Sequence, residues 1–266
     1  MQSVLASIAI LYLAVAGGMF FAQRSFLYFP DRSFPEQLDM KDDKSGFVRV
    51  NTEDGLALIG WYHPARAGMK TIVYFHGNGG HIGHRLPLMA PYIGAGYGVL
   101  MAEYRGYGGN AGKPSEQGLY RDARAYLHFL THTRKLADGE IVLYGESLGS
   151  GVAVQMAVEN PALAGLLLVT PLSGTVPVAK AHYPWLPVAL LMRDRYDNLR
   201  KIAGVADMPS YYFIAGRDTV VPPRFAADLY EAAPGPKARF DFPEAGHNDL
   251  SAHGLSDKIL EVLDEM

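Results

Sequence analysis

The chain opens on an apolar run with no charged side chain through residue 23, and Ser3 to Ala22 is long enough to cross a bilayer as a helix. A polar connector follows at 30–46, with Pro30, Pro35 and several charges. Phe47-Val48-Arg49-Val50 and the run Leu56 to Tyr62 then flank Glu53-Asp54-Gly55, so paired strands around a D-G turn predict a hairpin. Beyond it the rhythm changes. Thr71 to Phe75, Gly98 to Ala102, Ile141 to Tyr144, Leu166 to Val169 and Tyr211 to Ile214 are short and mostly apolar, the pattern of strands buried on both faces. Helical stretches separate them near 82–95, 116–134, 148–159, 222–233 and 249–265. This alternation predicts an α/β domain over 29–266, with a mostly parallel sheet between helices, after a separate N-terminal helix at 1–28.

One interval breaks the rhythm. Residues 173–207 lie between two strands and carry Pro177, Pro184, Pro187 and His182-Tyr183-Pro184-Trp185-Leu186. That is long for a connector. It predicts helical excursions forming a cap beside the site, with Tyr183, Trp185, Leu186, Leu190 and Leu191 offering an apolar surface. The competing reading is an ordinary crossover helix with a long lead-in, its apolar side chains packed on the sheet.

The first residues admit three readings. A secretory signal would want a basic start and a shorter apolar core; Ala14-Val15-Ala16 offers a cleavage site, but no Lys or Arg precedes it. A buried core helix would show a polar face, and none is visible. An uncleaved single-pass membrane anchor fits the length and flanks. Arg24 and Arg32 follow the span, which by loop-charge bias places the rest of the chain on the cytoplasmic side.

Composition narrows the function. At 266 residues with 49% apolar and 19% charged side chains, the chain can bury a sizeable core. A net charge of -3 makes no electrostatic case for nucleic acid. With no cysteine, disulfides, thiolate catalysis, S-acylation and cysteine-bound metal are all excluded.

The chemistry centres on Gly145-Glu146-Ser147-Leu148-Gly149. A G-x-S-x-G match alone is weak in so glycine-rich a chain, but this one follows an apolar strand-like run and precedes a helical one, the context of a nucleophile elbow. A serine hydroxyl needs a base within reach, and the base needs an acid to fix its tautomer. In this arrangement the order is Ser, acid, His. His247, in Gly246-His247-Asn248 after the strand-like Arg239 to Phe242, is the candidate base; His253 falls in the last helical pattern and reads as a surface residue. Asp218, after the run Tyr212 to Arg217, is the candidate acid, against a plain turn or cap role. Asp194, Asp197 and Asp207 lack a strand ahead of them, and Asp241 lies inside one. Oxyanion donors are expected from the main-chain amides of Leu148 and Asn78, the latter in His76-Gly77-Asn78-Gly79-Gly80, with the Asn78 side chain less constrained.

Other chemistries fit less well. His76, His81 and His84 cluster in sequence, but no carboxylate lies between them and the oxyanion loop accounts for His76, so no metal is expected. Gly77 to Gly80 lack the Lys and Ser/Thr of a phosphate loop, and no dinucleotide pattern is complete, so no cofactor is expected.

These stretches together resemble the membrane-anchored α/β-hydrolases grouped with α/β-hydrolase domain-containing proteins 13 and 17. The likeness rests on Phe29-Pro30, His76-Gly77-Asn78-Gly79, Tyr104-Arg105-Gly106-Tyr107-Gly108, Pro114-Ser115-Glu116, Gly118-Leu119-Tyr120, Asp122-Ala123, the elbow with Ser150-Gly151, Asp194-Arg195-Tyr196-Asp197 and Gly246-His247-Asn248-Asp249-Leu250. It covers about residues 29–250. The resemblance implies the α/β-hydrolase fold, a serine hydrolase with Ser147, Asp218 and His247 as triad, and an N-terminal anchor. Glu103 stands where the family usually has Asp. The missing cysteine cluster points to the transmembrane type of the protein 13 group rather than an acylated anchor. Likeness to serine aminopeptidases is one of fold and triad only.

The expected activity is hydrolysis of a small-molecule or lipid-like acyl ester or thioester. The alternatives are a peptidase or amidase, which would need an acidic site for an amine (Glu103 or Glu146), and a non-catalytic membrane scaffold. For the N-terminus, carbonate washing of membranes should leave the protein in the pellet with its first residues intact. Extractable protein beginning at Gly17 would instead show a cleaved signal.

Overall fold

A computed structural model describes residues 1–38 and 44–266; residues 39–43 of the expected 30–46 connector lie outside the described residues. Helix α1 (Gln2–Leu27) is followed by the antiparallel hairpin β1 (Gly46–Asn51) and β2 (Ala57–His63). The alternation then runs β3 (Thr71–Phe75), α2 (Leu86–Ala95), β4 (Gly98–Ala102), α3 (Glu116–His128), β5 (Ile141–Glu146), α4 (Gly149–Glu159) and β6 (Gly165–Val169). Three short helices come next, α5 (Thr175–His182), α6 (Val188–Leu191) and α7 (Asn198–Lys201). The chain ends with β7 (Ser210–Ala215), α8 (Pro223–Ala232), β8 (Lys237–Phe242) and α9 (Leu255–Glu265).

The eight strands form one sheet in the order β8-β7-β6-β5-β3-β4-β2-β1, parallel from β8 through β4 and antiparallel where β2 joins β4 and β1. Successive strand residues point to opposite faces. Val73, Phe75 and Leu143 therefore meet Leu119, Tyr126, Val152 and Leu229 of α3, α4 and α8, while Ile72, Tyr74 and Val142 meet Met89, Tyr92, Ile259 and Leu263 of α2 and α9.

Local chemistry shifts several expected boundaries. The 82–95 stretch opens as a 3-10 turn over Ile82–Arg85, and α2 proper begins with Pro87 in its first turn, where a missing N–H is harmless. The 249–265 stretch is broken by Gly254 at φ +86°, so His253 ends an exposed 3-10 turn before α9. A two-residue parallel pairing of Phe29–Pro30 with Gly79–Gly80 was not visible in the pattern. Residues 173–207 make no single crossover helix, and α1 is not separate. Arg24 pairs with buried Asp194 at 2.8 and 3.1 Å, Tyr12 Oη donates to Trp185 O at 3.1 Å, and Tyr28 and Tyr196 share a hydroxyl bond of 2.9 Å.

The loop after β4 is clasped by Arg105. Its guanidinium reaches Asp122 Oδ1 at 2.8 Å and Asp54 at 2.7 and 2.9 Å, tying the hairpin turn to α3. Burial pushes the Asp122 carboxyl up to about 6 despite Arg105, whereas the Arg105 and Thr52 hydrogen bonds hold the more exposed Asp54 well below the usual range. Removing one partner of a buried pair strands the other. Arg105→Ala should therefore destabilise the fold by about 3–5 kcal/mol, lowering Tm by roughly 6–12 °C in a detergent melt; an unchanged melt would show that the clasp is dispensable.

Candidate active site

Ser147 sits between the end of β5 and the start of α4 at φ +51°, in the left-handed region that a residue with a Cβ avoids. Its N–H donates to Val169 O at 2.9 Å, and Ser150 Oγ donates back to Ser147 O at 2.6 Å. The flanking glycines are required by space. A Cβ on Gly145 would lie 2.7 Å from Gly149 O, and one on Gly149 would lie 2.0 Å from Phe75 O.

The late residues converge on this turn. His247 Nε2 lies 2.8 Å from Ser147 Oγ, and its Nδ1 lies 2.6 Å from Asp218 Oδ2. Asp218 is buried, and its other oxygen accepts the N–H groups of Val220 and Val221, both at 2.8 Å. The turn role and the His247 contact thus coexist on one carboxylate, and Asp218 caps no helix, since α8 begins only at Pro223. With the carboxylate on Nδ1–H, the Nε2 lone pair faces the serine, a geometry able to take the Oγ proton. Asp249 closes the other side by accepting the Gly246 N–H at 2.6 Å. Asp194 is occupied by Arg24, and Asp241 by Arg239.

Asn78 and Leu148 flank the cavity beside Ser147, and among the described residues neither main-chain N–H donates to a protein acceptor. The Asn78 side chain, which the sequence leaves less constrained than its main chain, has a fixed partner. Its Nδ2 donates to Leu27 O at 2.8 Å, while the Asn78 main-chain carbonyl accepts from Phe29 N–H and Tyr107 Oη, both at 2.8 Å. The loop is thereby held by the last residue of α1.

The two glutamates considered for an amine are occupied. Glu103 is fully buried, contacts His76 Nε2 at 3.0 Å and accepts the Ile82 N–H at 2.9 Å. Glu146 accepts from Tyr74 Oη and lies 3.6 Å from Arg85 Nε.

The histidine cluster also divides. His76 belongs to Glu103, whereas His81 and His84 meet Asp31, with one ligand atom of each within 4.8 Å of the others. The Gly83 N–H donates to His81 Nδ1 at 3.0 Å. A neutral ring accepting there keeps its proton on Nε2, and burial lowers its affinity for a second proton. The atom facing Asp31 is then an N–H rather than a lone pair, which opposes metal ligation.

Ser147 opens into a cavity of about 400 Å³. Val178, Tyr183, Leu186 and Leu191 of the excursion line it, as do Thr219 to Val221. Trp185 and Leu190 do not; they point outward, 53% and 84% exposed. The residues missed from sequence are Met19, Phe20, Gln23, Phe26 and Leu27, which form the facing wall from α1. Gln23, a polar group beside the apolar span, was the available signal.

Comparison with known proteins agrees with this architecture. The family described as serine aminopeptidase, S33, matches residues 67–195. An uncharacterised protein of Mycobacterium tuberculosis is 37% identical, covering 97% of this chain and 94% of its own length. The α/β-hydrolase domain-containing protein WAV2 of Arabidopsis thaliana is 29% identical over 78% of this chain and 73% of its own. In solved structures, the Pyrococcus furiosus esterase Pf2001 superposes with a TM-score of 0.71 at 19% identity, covering 89% of this chain and 98% of that one.

An amide at position 218 can still accept the two backbone bonds, but its NH₂ would face His247 Nδ1 and impose the opposite tautomer. Asp218→Asn should keep the wild-type melt and lose about 10⁴-fold in kcat. An equally fast variant would remove Asp218 from the site.

Proposed function

Because the chain belongs to the α/β-hydrolase family, we propose that it is a serine hydrolase that cleaves acyl esters or thioesters through an acyl-enzyme. The observation that carries the reading is the hydrogen-bonded series Ser147–His247–Asp218, whose serine opens into an apolar cavity. Ser147 Oγ attacks the acyl carbon as His247 Nε2 takes its proton. Asp218 holds the imidazolium, and the amides of Asn78 and Leu148 donate to the oxyanion, with the N-terminus of α4 aimed the same way. Collapse expels the alcohol or thiol, protonated by His247. Water then repeats the sequence and releases the acid.

The peptidase reading is weaker here. No carboxylate lines the cavity that Ser147 opens into, among the described residues, and the pairing of Glu103 and Glu146 leaves neither free to fix a substrate ammonium. Residues 1–28 serve in this proposal as an uncleaved anchor for a catalytic domain at 29–266, with 173–207 as its cap.

A fluorophosphonate probe should label the wild type and leave Ser147→Ala unlabelled. para-Nitrophenyl esters should turn over while aminoacyl anilides do not. Ser147→Ala and His247→Ala should each lower kcat by orders of magnitude, and the double variant by little more, because they act as a unit. Preferred cleavage of the anilides would reverse the choice of substrate class.

A further inference from the structure

We infer that α1 is a wall of the substrate cavity as well as an anchor, and that the cavity draws the acyl chain of a membrane lipid ester sideways from one leaflet, between α1 and α5–α6. This rests on reading Ser147 as the nucleophile and Ser3 to Ala22 as a membrane span.

Two faces of α1 carry the argument. Tyr12, Ala16, Met19, Gln23 and Leu27 recur at helical spacing and face the domain. Gln23 fixes the contact: its Nε2 donates to Leu191 O at 3.1 Å, and its Oε1 accepts the Arg193 N–H at 2.7 Å. The outer face is equally apolar, with Leu11 and Leu13 each 66% and Phe21 81% exposed. A helix laid on a water-soluble domain presents polar groups outward. This one requires hydrocarbon on its free side and protein on the other.

The contact lies within the span, not below it. From Tyr12 to Ala22 the helix rises about 15 Å, half the hydrocarbon thickness of a bilayer. The excursion that meets Tyr12 must therefore enter the same leaflet. Its composition allows that: residues 183–192, from Tyr183 to Met192, carry no charge, and charge returns at Arg193-Asp194-Arg195. Trp185 stacks edge-on against Tyr12 with ring centroids 6.5 Å apart, while Leu190 is almost fully exposed.

Beside this apolar rim, the cavity passes between α1 and the excursion to Ser147, with Met19, Phe20 and Phe26 on one side and Val178, Leu186 and Leu191 on the other. A chain sliding from the leaflet meets hydrocarbon-like surface along the way, and its ester carbonyl reaches the hydroxyl without the chain crossing water. Hydrolysis adds the hydroxyl of water to the acyl carbon and its proton to the lipid alcohol.

The chain has two tryptophans; Trp61 is fully buried in the core and Trp185 is exposed at the rim. The full-length protein in vesicles of brominated phosphatidylcholine should show quenching that Trp185→Phe abolishes. Quenching of Trp185 by aqueous acrylamide and not by brominated lipid would overturn the immersion of the rim. In plain phosphatidylcholine vesicles, Met19→Trp should lower the ratio of para-nitrophenyl palmitate to butyrate turnover about tenfold or more, whereas Leu13→Trp on the outer face should not. Met19→Phe serves as the milder change should the larger side chain disturb folding. Fluorophosphonate labelling of the same samples separates the two readings. A labelled Met19 variant with an unchanged ratio overturns the wall alone. A wild type unlabelled at Ser147 overturns the nucleophile and this inference with it.

Discussion

The geometry of the site depends on how closely the start of α4 approaches the end of β3. The parallel register sets Phe75 beside Gly145, and the chain turns at once so that Gly149 backs onto the Phe75 and His76 carbonyls. No side chain fits between them, since a Cβ at 149 would fall inside Phe75 O. This contact puts the loop after β3 and the turn after β5 on the same rim, and with them the amides of Asn78 and Leu148. The left-handed Ser147 follows from the same squeeze: strand must become helix within one residue, and strain of order 1–3 kcal/mol is held by the surrounding hydrogen bonds.

Much of this was legible in the sequence because it rests on short-range pattern. The buried strands were continuous apolar runs, and the five helical stretches all contain helices. Ser147, Asp218 and His247 could be named because each follows a strand, and chain order then limits the choice. Boundaries were less visible where one residue decides them. Gly254 splits the last helical stretch, and Pro87 marks where a 3-10 turn gives way to α2. The pairing of Phe29–Pro30 with Gly79–Gly80 left no pattern, since two residues cannot show a period and their partner is fixed by tertiary contact.

The contribution of α1 to the cavity was hidden for a different reason. Periodicity separates apolar from polar faces, and α1 is apolar all round. The free face and the face against Leu186 or Leu191 have the same apolar composition. The distinguishing groups are the few polar atoms, Tyr12 Oη and the Gln23 amide, which lie on the domain side and find partners there. In an apolar environment an unpaired polar group costs more than in water, so such atoms orient a helix that hydrophobicity leaves free to rotate. The same limit applied to the excursion. Tyr183, Leu186 and Leu191 line the cavity while Trp185 and Leu190 turn away, a division that follows from three short helices whose lengths no apolar count predicts.

Asn78 joins these two levels. Its main chain lies at the cavity beside Ser147, and its side chain holds Leu27 O at the last turn of α1. Its carbonyl takes the Phe29 N–H immediately beyond that turn, so the loop is bound to both sides of the helix exit. Tyr28 lies between these bonds, buried, with its hydroxyl on Tyr196. Arg24, one turn earlier, holds Asp194 in the same excursion. A helix tied to the domain through so many directional contacts cannot swing as a flexible tether would. Tilting it would draw on the loop that carries the Asn78 amide and on the wall formed by Leu186 and Leu191 together. The orientation of the domain on its helix and the shape of the cavity are therefore one structural variable, set by the hydrogen bonds around residues 23–28.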